Sequence, residues 1–229
     1  MHQNLLVVVW LLLVSSVMSF SFVTNNQTPI GSARKFKPTP FVEDKPPSVT
    51  TPLLNLLSAP TQNHEAIKKE IASLTKLDKG FDADVVTGDW TLVYAKPSKA
   101  SPKSQSFAIP VNKIGGDLSN FDPPAMKFYN IKKTPRGNGR LHITDKYWPT
   151  KDAFTKSDDG KRVVLRRIFC DIVQADFKYW KLPRFPLPIR IKGGYLDFLY
   201  LDDQVRVTRG NLGGIFVHVR EEVVASNFS

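Results

Sequence analysis

Cysteine is nearly absent from this chain of 229 residues. Cys170 stands alone, which excludes an intrachain disulfide, a two-cysteine redox motif and a cysteine-rich zinc site. It sits in the apolar run Ile168-Phe169-Cys170, where a thiol behaves as a small hydrophobe, so a core role is expected. Long hydrophobic runs are missing too: Leu5 to Val14 spans ten residues, too few to cross a bilayer as a helix. Histidine is scarce, and His64, His142 and His218 match no ligand spacing such as His-Glu-x-x-His. There is no Gly-x-Ser-x-Gly elbow and no phosphate-cradling glycine loop. Gly193-Gly194 and Gly213-Gly214 read as hairpin or bulge glycines. Asp145 and Asp171 are strand carboxylates for which spacing gives no catalytic partner. These absences point away from an enzyme, a metal centre and a bound cofactor. Acid is also short, with 21 Asp and Glu against 32 Lys and Arg, a net charge of +11. Such a charge attracts nucleic acid, anionic membranes or acidic proteins alike. The basic residues are scattered rather than stacked in runs, as on a solvated surface.

What is present begins with an address. The apolar run is followed by Val17-Met18-Ser19, small residues suited to peptidase cleavage, so residues 1–19 read as a signal peptide. Residues 20–51 open on Phe20 and are rich in Ser, Thr, Asn and Pro. Arg34, Lys35 and Lys37 precede the first acid, Glu43. This stretch reads as a transit peptide and Pro-rich linker. The two parts together resemble the bipartite presequence of algae with complex plastids, which implies import into the plastid. A plain secreted protein is the competing reading, with Asn26 and Asn227 as glycosylation acceptors.

Folding is expected to begin near residue 52. From His64 to Leu77 the residues Ile67, Ile71, Leu74 and Leu77 recur at spacings of three and four, the mark of one amphipathic helix, and Gly80 is suited to end it. Beyond Gly80 come short runs rich in Val, Ile, Phe and Tyr. The pattern predicts strands over 88–95, 105–111, 126–132, 140–148, 161–170, 172–180, 188–192, 195–201, 203–209 and 214–220. Turn residues at 122–124, 135–139 and 157–160 punctuate them. Consecutive strands without interleaved helices imply an antiparallel barrel or sandwich and exclude a parallel α/β sheet. In the first strand, alternation puts Trp90, Leu92 and Tyr94 on one face. In the ninth it puts Val205, Val207 and Arg209 on one face, with Gln204, Arg206 and Thr208 on the other. Arg209 on an apolar face needs an aromatic ring or backbone carbonyls as a partner. Asp202 and Arg206 share a face, as an ion pair that maintains the fold or as a charged pair at a barrel mouth. Gly210 is expected to supply a positive-φ turn.

Three stretches carry a family resemblance: the helix Ala66 to Leu74; Gly88-Asp89-Trp90-Thr91-Leu92-Val93-Tyr94; and Tyr200 to Gly210 followed by Gly214-Ile215-Phe216-Val217. Asp202, Arg206, Arg209 and Gly210 ahead of a Gly-x-Phe-Val strand form a specific combination, and Gly88 with Trp90 supplies a Gly-x-Trp turn. The chain resembles the plastid lipid-associated protein, or fibrillin, family. The resemblance implies a mainly β fold over 52–229, an antiparallel lipocalin-like β-barrel preceded by one amphipathic helix. It also implies that a late-strand arginine packs across the Gly-x-Trp tryptophan, here Arg209 over Trp90. Where many members carry Trp before Leu196, this chain has Tyr195.

Eight strands enclose space for one small ligand, and an apolar lining makes that ligand apolar. Trp90, Tyr94, Phe128, Phe169, Tyr195, Phe198 and Phe216 are the candidate lining residues, although aromatics on strands are more often plain core. The resemblance implies a non-catalytic protein of plastoglobules or thylakoids that binds or organises carotenoids, quinones or related prenyl lipids. Its partners would be an apolar lipid or pigment and a plastid membrane or lipid-droplet surface, with Lys132, Lys133, Arg136 and Arg140 against anionic lipid. One alternative is a basic barrel that stacks nucleic-acid bases on Tyr129, Trp148, Tyr179 and Trp180, a partner the scattered charge makes unlikely. Another is an enzyme or assembly factor of quinone metabolism, which would require a polar cluster inside the barrel.

Overall fold

The computed structural model describes residues 48–100, 117–133, 138–149, 154–156 and 163–228. Among the described residues two short helices come first, α1 (Thr51–Ser58) and α2 (His64–Thr75). Pro52 lies in the first turn of α1, where its missing N–H is not needed. Asn63 caps α2, its side chain accepting from the Ala66 amide at 3.1 Å. The helix ends at Thr75, and Leu77 falls outside it, 42% exposed. The left-handed residue after the helix is Asp78, with φ of 56°, rather than the expected Gly80. A side chain at Gly80 would collide with Val164 and the Leu165 carbonyl, so this glycine is kept by lack of space.

A single turn, α3 (Ala83–Val86), leads into eleven strands: β1 (Gly88–Lys96), β2 (Leu118–Asp122), β3 (Lys127–Lys133), β4 (Gly139–Trp148), β5 (Phe154–Lys156), β6 (Val163–Leu165), β7 (Arg167–Tyr179), β8 (Phe185–Leu187), β9 (Ile191–Leu201), β10 (Val205–Gly210) and β11 (Ile215–Arg220). Helix α4 (Glu221–Asn227) follows. Eight strands form one antiparallel cycle, β1-β2-β3-β4-β7-β9-β10-β11, because β4 pairs with β7 and β1 with β11. The barrel is closed, and closure removes the sheet edges that invite aggregation. The short β8 adds to the outer half of β7, and β5 with β6 makes a separate ribbon.

Strand β2 was not anticipated, because Leu-Ser-Asn-Phe-Asp lacks a β-rich composition. The expected strand at 105–111 lies outside the described residues. The strands expected at 161–170 and 172–180 are joined differently, since β7 runs unbroken for 13 residues with an irregularity where it leaves β9, between Cys170 and Ile172.

Two cores share one wall. On the outside, Leu53, Leu54, Leu57, Ile67, Ile71 and Leu74 of the helices pack on Tyr94, Tyr200, Val205, Val207, Val217 and Val219. Inside lie Trp90, Phe121, Phe128, Tyr147, Ile168, Phe198 and Leu201, with Val86 beneath them. Strand β10 is therefore buried on both faces, its valines under the helices and Arg206 and Thr208 toward the lumen.

Candidate functional site

The lumen has a filled end and an end that solvent reaches. At the filled end Phe81 rises between Phe198 and Tyr147, with ring centroids at 5.1 and 5.8 Å, and Phe121 stacks on Phe128 at 4.8 Å. The Phe81 amide is tied to the Leu165 carbonyl at 2.7 Å, which pins this plug. Trp90 is completely buried, and its indole N–H donates to the Val86 carbonyl at 2.8 Å.

Two guanidinium groups flank Trp90, and neither is Arg209. Arg220 lies 3.9 Å from the ring centroid and donates to the carbonyls of Val85 and Thr87. It thereby closes the barrel floor by cation–π contact and hydrogen bonds together. Arg206 lies 5.2 Å from Trp90 and 4.9 Å from Phe121. The expected Arg209–Trp90 contact is absent because alternation along β10 keeps Arg209 on the outer face with Val205 and Val207, which the helices cover, while Arg206 and Thr208 face the lumen. Arg209 instead lies outside, donating to Asp197 at 3.0 Å beside Arg167, whose Nε donates to the same carboxylate at 2.6 Å.

A similar irregularity moves Tyr94. The register shift between Leu92 and Tyr94 leaves Trp90 and Leu92 in the lumen but puts Tyr94 under α2, its hydroxyl 3.3 Å from His64 Nδ1. It lines a groove on the outer wall with Lys68, Ile71, Pro97 and Ile215. Phe169 and Tyr195 are cross-strand partners whose neighbours Ile168 and Leu196 point inward, so these two rings face out. Arg167 stacks on Tyr195 at 3.9 Å. Of the seven expected lining residues, then, Trp90, Phe128, Phe198 and Phe216 face the lumen, while Tyr94, Phe169 and Tyr195 do not.

The motif residues also change roles. Asp202 does not pair with Arg206. It accepts from Tyr200 Oη at 2.7 Å and from the Gln204 and Val205 amides at 2.9 and 2.7 Å, fixing the turn between β9 and β10. Arg206 sits at the floor, not at a mouth. The positive φ in the last hairpin belongs to Gly213, at 83°, while Gly210 lies in the strand beside Phe216.

Sequence reasoning missed a polar band above the aromatic floor. Arg206 is 2% exposed, and its Nε and Nη1 have no hydrogen-bond partner among the described residues. Burial, and then the Arg220 charge, push its pKa down to about 9. The Nδ1 of its cross-strand neighbour His218 likewise has no partner among the described residues. Burial, with Arg206 and Lys132 nearby, holds its pKa well below the ordinary range, so the ring is neutral. Across the lumen Asp145 is buried and accepts from Asn130 Nδ2 at 3.1 Å. Burial raises its carboxyl to about 7, and the hydrogen bond only partly offsets this. Cys170 lies near Asp145, and its thiol is pushed up to about 12, chiefly by burial. It is a packing residue rather than a nucleophile. Inward positions farther from the floor, among them Leu141, Ile143, Ile172, Phe177, Leu196 and Phe216, are only partly buried, so this half of the lumen is accessible.

The PAP_fibrillin family model matches residues 55–219. The chain belongs to the PAP_fibrillin family. Among curated proteins it is 31% identical over 172 residues to "Probable plastid-lipid-associated protein 12, chloroplastic" of Arabidopsis thaliana. That match covers 69% of this chain but 38% of the relative, so the fibrillin domain seen here spans well under half of that protein. No solved structure matches. In this fibrillin barrel no group of three or more His, Cys, Asp or Glu among the described residues could hold a metal ion. The aromatics weighed for base stacking are dispersed: Trp148 ends β4 at the floor, while Tyr179 and Trp180 lie at the opposite end.

Proposed function

We propose that this fibrillin-family protein is a non-catalytic carrier or organiser of apolar prenyl lipids, carotenoids or quinones among them. It holds one such molecule in the accessible upper half of its barrel. One observation carries the reading: inward-facing apolar side chains are tightly packed at the floor yet partly exposed above it, which is the arrangement of a lined cup. The Arg206 Nε–H and Nη1–H groups at its base, unpartnered among the described residues, favour a ligand whose buried end bears an acceptor oxygen, since an unmet donor in a dry site is costly. Plastid residence, at plastoglobules or thylakoids, and a presequence ending near residue 51 belong to the same proposal. The chloroplastic relative supports the first of these.

The test is mass spectrometry of organic extracts from the protein after exposure to a mixture of carotenoids and prenyl quinones. An Ile143→Trp variant, which fills the upper lumen, is run beside it. Stoichiometric retention by the wild type, lost in the folded variant, supports a carrier. Retention by both, or by neither, defeats it.

A second reading draws on the polar pair inside the barrel. Asp145, with a pKa of about 7 and bonded to Asn130, is the kind of enclosed acid–base group that an enzyme of quinone metabolism would need. Turnover of a quinone precursor that is abolished by Asp145→Asn would replace the carrier reading with this one.

A further inference from the structure

The accessible end of the barrel carries a surface feature that a ligand-filled lumen does not explain. Five large apolar side chains stand in solvent on β7, β8, β9 and their turns: Val173, Trp180, Leu182, Phe185 and Ile191, from 39% to 69% exposed. Trp180 is the most exposed, at 69%, and occupies a positive φ of 47°, rare for a bulky residue. Its amide is fixed to the Asn138 carbonyl at 2.7 Å, so the backbone holds the ring outward. Between these residues stand Lys178, Lys181, Arg184, Arg190 and Lys192, and no acid occurs from Phe177 to Leu196. Lys181 lies over the Trp180 ring at 5.4 Å. Because Lys133 pairs with Arg140 and Gly139 with Tyr179, the cations Lys133 and Arg140 at the ends of β3 and β4 lie at the same end.

We infer that this β7–β8–β9 projection docks the barrel mouth-down on an anionic lipid bilayer, with Trp180, Leu182 and Phe185 in the interfacial layer and the flanking cations against headgroup charge. A Trp with adjacent aliphatics suits the bilayer interface, where one part of the side chain is wet and the rest apolar. Nucleic acid would use the cations but gains nothing from exposed Leu182 and Ile191. A strand-adding protein partner would have to pair with β8, whose Pro186 and flanking Pro188 limit the amides it offers.

The experiment is sedimentation of the full chain with vesicles of phosphatidylcholine alone and of phosphatidylcholine mixed equally with phosphatidylglycerol. Selective binding to the anionic vesicles, weakened by salt, is expected. Lys181→Glu with Arg184→Glu should reduce partitioning by about 25-fold or more, each lost cation counting for about fivefold. Trp180→Ala with Leu182→Ala should reduce it while leaving the melting temperature unchanged. Control substitutions Lys68→Glu and Lys69→Glu on α2 should not matter. A blue shift of tryptophan emission on binding should vanish in Trp180→Phe. Equal binding by wild type and tip variants, an equal loss in the α2 control, or oligonucleotide binding that needs the same tip without any vesicle binding would each overturn the inference. Lumen loading is measured separately, so the carrier reading can fail while this one stands.

Discussion

Trp90 and the two arginines beside it divide the work of closing the barrel unequally. Arg220 satisfies the Val85 and Thr87 carbonyls and covers the ring, whereas Arg206 is charged and buried, with Nε and Nη1 lacking an acceptor among the described residues. Removing a buried charge that lacks a partner is often neutral or stabilising when the replacement has similar volume. Arg206→Met should therefore unfold within about 1 kcal/mol of the wild type, or later, in chemical denaturation. Trp90→Ala should lose about 3–5 kcal/mol by leaving a large cavity. The same Arg206→Met protein should retain less of an acceptor-bearing lipid, which separates a ligand-facing arginine from a structural one. The sequence shows that an arginine on β10 needs an aromatic partner, but not which arginine. Val205 and Val207 look like the lumen face only until helices α1 and α2 are seen to cover them.

At the scale of elements, the antiparallel strands and the helix at residues 64–75 are legible because their apolar periods are regular. Bulges are not. The irregularities beside Tyr94 in β1 and at Leu199 in β9 each shift the side-chain parity of a strand, and nothing in composition announces them. That is why Tyr94 was expected inside and lies outside, whereas Arg209 simply follows Val205 and Val207 on the face that helices α1 and α2 cover. Helix α2 belongs to the outer core through Ile67, which is completely buried, with Ile71 and Leu74. Ile67→Ala should cost about 2–5 kcal/mol. If the helix pair packs independently of the lumen, limited proteolysis should cut first between α1 and β1 while lipid retention persists. Simultaneous loss of both would show that the outer core holds the barrel shut.

The whole molecule's stability should depend on pH through the polar band. The Asp145 pKa is raised from 3.8 to about 7, so between those values the folded state holds more protons than the unfolded chain. Stability is then highest below pH 4 for this group and falls as pH rises toward 7, by about 4 kcal/mol. His218 acts oppositely. Its depressed pKa gives stability that is lost as pH falls below about 6.5, where the unfolded ring takes up a proton. Asp145→Asn isolates the first effect: relative to wild type it should be more stable at pH 8 and lose that advantage by pH 4 in equilibrium unfolding. This band could not be read from spacing, because Asn130, Asp145, Arg206 and His218 come from four strands that only the closed sheet brings together.

Phe81, locked beneath Phe198 and Tyr147, has a consequence for traffic. A tube stoppered at one end is not a conduit. Whatever enters must leave by the same opening, so two membranes cannot be bridged by threading a molecule through this barrel. On the carrier reading proposed above, exchange between them has to proceed by ferrying: dock, load, detach, cross and dock again, with each release facing the surface that receives it.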